Sequence, residues 1–121
     1  MARMLAYPPM KILLAAPLAV AFVAAAQAPD APKPFSAALE AGGIHEECVR
    51  LEKGEKRAYR WKSDARVDFN IHSHRGNDVF FPVKRDRVSA GEGTFTAPGA
   101  EHYCWMWSAL DKPAKVEGSI R

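Results

Sequence analysis

Arg66-Val67-Asp68-Phe69-Asn70-Ile71-His72-Ser73 is the stretch that decides the fold. Val67, Phe69 and Ile71 alternate with Asp68, Asn70 and His72, the period of two that turns one side of an extended chain to a core and the other to water. The neighbouring segments read the same way. Residues 44–51 form an expected strand carrying Cys48, closed by the turn Lys53-Gly54-Glu55. Residues 57–62 follow, with Tyr59 and Trp61 on one face and charges on the other, and Ser63-Asp64-Ala65 turns the chain into the quoted strand. Arg75-Gly76-Asn77 leads to residues 78–84, where Pro82 marks an edge strand or a bulge because proline cannot donate to a ladder.

The C-terminal third continues the pattern. Gly91-Glu92-Gly93 precedes a short strand at 94–97, Pro98-Gly99 turns, and residues 101–108 carry Tyr103-Cys104-Trp105-Met106-Trp107. Lys112-Pro113 breaks the chain before a last strand at 114–120. Short strands separated by closely spaced turn signals imply an all-β fold. The expectation is a small antiparallel β-sandwich, jelly-roll-like, of about seven to eight strands with one disulfide. Neither an internal repeat nor a coiled-coil heptad interrupts the pattern.

The first 26 residues have a different character. Lys11, the apolar run at 12–23 and Ala24-Ala25-Ala26 have the layout of a secretory signal peptide, with cleavage expected before Gln27. Twelve apolar residues interrupted by Pro17 fall short of the roughly 20 needed to span a bilayer. Met10-Lys11 is a better signal start than Met1, so translation is expected to begin there. A precursor peptide containing residues 2–9 would refute that. Residues 27–43 read as a Pro- and Ala-rich tether with one helical turn over 35–40, and residues 44–121 as the sandwich domain.

Export changes the charge argument. Lys+Arg falls from 17 to 15 on losing Arg3 and Lys11 while Asp+Glu stays at 14, so the formal net charge drops from +3 to +1. A nucleic-acid surface needs a concentrated basic excess, and the basic stretches at Arg57 to Arg66 and Lys84 to Arg87 are interleaved with acids. No nucleic acid and no membrane span in the mature chain are therefore expected, and the localisation is periplasmic or secreted. Two cysteines, Cys48 and Cys104, are expected to pair in that oxidising compartment.

Two family resemblances are carried by short motifs. Cys48 in a first strand, AYRW after Gly54, VDFNIHSHRGNDV, GTFTAPGAEHYCWMW and a closing strand together resemble the GOLD domain of secretory-pathway cargo receptors. That resemblance implies a β-sandwich, a disulfide and a generic binding role, although the chain lacks the coiled coil, transmembrane helix and cytosolic tail of those receptors. His72-Ser73-His74, Asp78, Gly91-Glu92 and Pro98-Gly99 leading to His102 are similar to the paired motifs of cupins, where such residues hold one divalent transition metal. His72 and His74 leave the same face of one strand, so both imidazoles can reach one ion, with Asp78 and His102 completing a mixed N/O set. Asp78 stands where cupins usually have Glu, and Pro98-Gly99 where they have Pro-x-Gly.

The aromatic segment carries the remaining expectation. If Cys104 and Met106 face the core, alternation places Tyr103, Trp105 and Trp107 on the opposite side. Uncovered, they would form a binding surface for a protein, peptide or carbohydrate; covered, they would form a second small core. His102, Cys104 and Met106 do not supply a blue-copper set, which needs two histidines and a distant axial methionine. The functional expectation is an exported, non-catalytic binding or interaction module without a cofactor, and the alternative is a small metal-binding protein built on His72 and His74.

Overall fold

In a computed structural model, residues 3–6, 8–9, 11–21 and 32–121 are described; the expected cleavage site and residues 27–31 of the tether lie outside them. Residues 11–21 have no regular secondary structure, and Ile12, Leu13, Leu14, Leu18 and Val20 are exposed. Among the described residues no helix is long and apolar enough to cross a membrane. The folded part is all-β and antiparallel: β1 Lys33–Leu39, β2 Ile44–Leu51, β3 Lys56–Arg75, β4 Asp78–Thr96, β5 Glu101–Ala109 and β6 Ala114–Ile120.

Six strands replace the expected seven or eight because two of them are long and change layer. β3 and β4 form one hairpin from Lys56↔Thr96 to Arg75↔Asp78. The first half of β3 pairs with β6 through Tyr59↔Ile120 to Ser63↔Val116, and β6 pairs with β1. Its second half pairs with β5 through Val67↔Ala109 to His72↔Cys104, and β5 pairs with β2. The result is two four-stranded layers, β1-β6-β3-β4 and β2-β5-β3-β4, that share the bent hairpin. Residues 63–65, expected as a turn, are the corner inside β3, where the register with β4 shifts between Lys62 and Val67.

Local chemistry sets the corner. Asp64 Oδ1 accepts the Lys115 N–H at 2.8 Å, and Asp68 Oδ1 accepts the Arg87 N–H at 2.9 Å. Arg87 has φ 55°, a left-handed conformation disfavoured for a residue with a Cβ, and the Asp68 bond holds it there. β4 pairs only with β3, so Pro82 lies on an edge strand as its chemistry requires.

β1 corrects two sequence expectations. Residues 35–40 form no helical turn, because Phe35, Ala37 and Leu39 alternate inward while the backbone pairs with β6 from Lys33↔Ile120 to Leu39↔Ala114. The sheet consequently begins at Lys33, ahead of the expected start at Ile44.

The core between the layers is aromatic. Trp107 of β5 lies 4.5 Å from Phe35, 5.5 Å from Phe69 and 6.1 Å from Trp61, centroid to centroid. Phe95 closes the other end against Tyr103 at 5.0 Å and Trp105 at 5.6 Å. Burying each such side chain contributes about 2–3 kcal/mol, so these rings carry most of the cohesion between layers.

Candidate functional site

The aromatic face of the strand is covered, the second of the two readings above, but it belongs to the main core, and the cysteine face is the outer one. Tyr103, Trp105 and Trp107 are fully buried, so they form no exposed aromatic stripe. Their strand register explains it: Trp105 and Trp107 sit across from Ile71 and Phe69, the inward side of β3. The Tyr103 hydroxyl donates to the Gly99 carbonyl at 2.8 Å, which satisfies a buried polar group and latches the Pro98-Gly99 turn. Cys104 and Met106 face outward instead.

The disulfide is present and lies on that outer face. Cys48 and Cys104 are direct partners in the β2–β5 ladder, with Cα atoms 4.1 Å apart. Cys48 is exposed and Cys104 half-buried. The bond therefore staples an edge strand to its neighbour rather than filling the core. In the folded part, the exposed large apolar residues Ile44, Val79 and Phe81 also sit on this outer side.

The residues expected to hold a metal do not converge. Among the described residues, no three of His72, His74, Asp78 and His102 bring ligand atoms within 4.8 Å of one another. His72 is nearly buried on the outer face, its Nδ1–H donating to Asn70 Oδ1 at 2.8 Å and its Nε2 lying 3.5 Å from Glu46 Oε1. The His74 ring meets it edge-on at 5.2 Å. Burial holds the His72 pKa below its ordinary range, against the raising effect of Glu46, and His74 lowers it further. Asp78 sits at the hairpin end across from Arg75, and His102 is exposed across from Arg50. Ser73 points inward, away from both histidines, and its hydroxyl donates to Glu101 Oε2 at 2.5 Å. That bond, followed by those from Arg75, keeps the Glu101 carboxyl below its usual range.

A cleft of about 610 Å³ opens where the free edges of β1 and β2 part. Strand alternation explains its composition. Lys33 shares a face with the inward Phe35, and Arg57 shares one with the inward Trp61. On the facing layer Glu47 lies across from Trp105 and Val49 across from Tyr103, both inward positions. Apolar Val49, Trp105 and Ile120 therefore line the depth, while Lys33, Arg57, Arg121 and Glu47 line the mouth. Glu47 is already engaged, 3.0 Å from His45 Nε2. Reading the charges of residues 57–62 as one solvent-side set missed this site; the signal was that Arg57 has the same parity as Tyr59 and Trp61.

A larger hollow of about 890 Å³ lies over the first layer, but its charges are matched across the ladder. Arg60 meets Glu92 at 3.0 Å and Lys62 meets Glu117 at 3.0 Å. It offers an incoming ligand no unmatched charge, whereas the edge cleft does.

No family model matches the sequence, and no curated protein matches it. Among solved structures, the chain is similar to the pre-peptidase C-terminal domain of a collagenase from Bacillus anthracis, with a TM-score of 0.56 and 9% identity over 74% of this chain and 89% of that one. Weaker likenesses are to PliG of Aeromonas hydrophila, a periplasmic inhibitor of g-type lysozyme (TM-score 0.45, 12% identity, 74% and 86% covered), and to a mitogen derived from Yersinia pseudotuberculosis (0.46, 10%, 74% and 85%). The first likeness establishes a small all-β fold shared without recognisable sequence similarity. None of the three identifies a GOLD domain.

Proposed function

We propose that this protein is an exported, non-catalytic binding module that takes its ligand in the cleft between β1 and β2. The observation carrying this reading is that charged residues stand at inward positions of both layers around an apolar, roughly 610 Å³ space, within the usual range for small-molecule sites. Sandwiches normally fill such positions with apolar side chains. Export is supported by the solvent-exposed disulfide, a bond that the reducing cytosol does not sustain, and by the exposed apolar segment ahead of the fold. A binding rather than a chemical role is supported by Ser73 and His72, whose polar atoms are engaged by Glu101, Asn70 and Glu46 in contacts that fasten strands to one another.

Residue-resolved NMR tests the reading. The purified full chain is titrated with a mixture of neutral, anionic and cationic small molecules. Saturable shifts at Val49, Trp105 and Ile120 are expected; ligands that perturb only other surfaces, or none that bind at all, would remove the cleft as the site.

A further inference from the structure

We infer that the cleft recognises a small amphipathic anion, a carboxylate attached to an apolar body. This rests on the cleft being the binding site proposed above. Lys33, Arg57 and Arg121 stand at its mouth against a single acidic side chain, Glu47, whose carboxylate is held by His45 at 3.0 Å. Lys33 and Arg121 have no ion-pair partner among the described residues. Arg57 lies 3.5 Å from Glu55, and its Nη1 donates to the Lys56 carbonyl at 2.9 Å, which leaves most of its five donors unassigned. A carboxylate at the mouth would accept from these cations, and an apolar tail would occupy the depth beside Val49, Trp105 and Ile120.

The alternatives fit less well. A neutral apolar ligand would desolvate the cations without pairing them, an unfavourable exchange. A cationic one would be repelled, and an inorganic anion would leave the apolar depth unfilled. Inward charges also protect sheet edges against pairing with other chains, which is a sufficient reason for Lys33 on the edge strand β1. It is no reason for Arg57. That residue is on β3, flanked by β4 through Arg57↔Phe95 and by the C-terminal end of the chain through the paired Ala58 and Arg121 backbones.

Decanoate and decylammonium below their micelle concentrations, and decan-1-ol below its solubility limit, separate these cases in NMR titrations of the full chain. The expected result is saturable binding of decanoate at Val49, Trp105 and Ile120, weakened about tenfold by Lys33→Gln and again by Arg57→Gln. Thermal unfolding of Lys33→Gln should match the parent, since Lys33 is exposed at the rim. Equal affinity for decanoate and decan-1-ol would overturn the anion preference while leaving the cleft as the site. Preference for decylammonium would overturn it too. If none of the three probes and nothing in the small-molecule mixture shifts those resonances, the preference and the underlying site fall together.

Discussion

Gly118 lies across from Trp61 in the β6–β3 ladder and leaves no room for a side chain. A Cβ there would run into the Arg60 carbonyl oxygen and lie 2.8 Å from Trp61 Cα, both parts of a paired strand. Gly118→Ala is expected to cost about 3 kcal/mol. Gly42→Ala serves as the comparison, because a methyl there meets open space and only its φ of +74° opposes it, at about 1 kcal/mol. Equal urea midpoints for the two variants would refute the close-approach argument. His72 supplies a second residue-level prediction. Burial chiefly holds its folded pKa below the ordinary 6.5, so the unfolded chain takes up this proton more readily. Stability is whole above 6.5 and declines as pH falls through 6.5 towards the folded value. His72→Gln should flatten that part of the profile; a variant whose urea midpoint falls with pH as steeply as the parent's would assign the slope to another group.

At the scale of elements, β2 is the strand most dependent on its cross-link. It pairs with β5 alone, and the Cys48–Cys104 bond closes a loop of 56 residues in the unfolded chain. The chain-entropy relation puts the effect of that loop at about 4 kcal/mol. Reduction, or Cys48→Ser with Cys104→Ser, should lower stability by about 2–4 kcal/mol in equilibrium denaturation. Hydrogen exchange should quicken first in Ile44–Leu51, because β6 keeps neighbours on both sides while β2 has one. Uniform loss of protection across both layers would argue against β2 as the local weak point. This element was partly legible beforehand: both cysteines, their strands and their pairing follow from alternation and compartment. The face was not. Alternation reports that Cys104 and Trp105 point opposite ways, and only packing of Trp107 against Phe35 and Trp61 reveals which way is inward.

The molecule as a whole depends on β1 more than a tether at residues 27–43 would allow. Phe35 covers Trp107 and Leu39 completes the buried cluster, while β6 would become an open edge without its partner. A chain starting at Ile44 is expected to lose its cooperative unfolding transition, whereas one starting at Pro32 should keep it. Near-ultraviolet circular dichroism through thermal unfolding distinguishes them, and a sharp transition in the shorter chain would restore the boundary at Ile44. The candidate site shows the same limit. Val49, Trp105 and Ile120 are recognisable as apolar strand residues, but nothing local to them indicates that the layers part at the β1 and β2 edges. The four expected metal ligands stay apart for a related reason. His-x-His spacing guarantees a shared face, and convergence on one point requires neighbouring strands to bring the other ligands within reach.

The sequence by itself determined the all-β class, the turns at Gly54, Gly76 and Pro98-Gly99, the cysteine pair and the edge character of Pro82, because each follows from backbone geometry or side-chain chemistry within a few residues. Tertiary structure alone decided that β3 and β4 bend through both layers, that the aromatic side of residues 103–107 is the core, and that Lys33 and Arg57 line one cleft. The physical reason is that a period of two divides a strand into two faces without naming either. Which face meets water depends on what the opposite layer places against it.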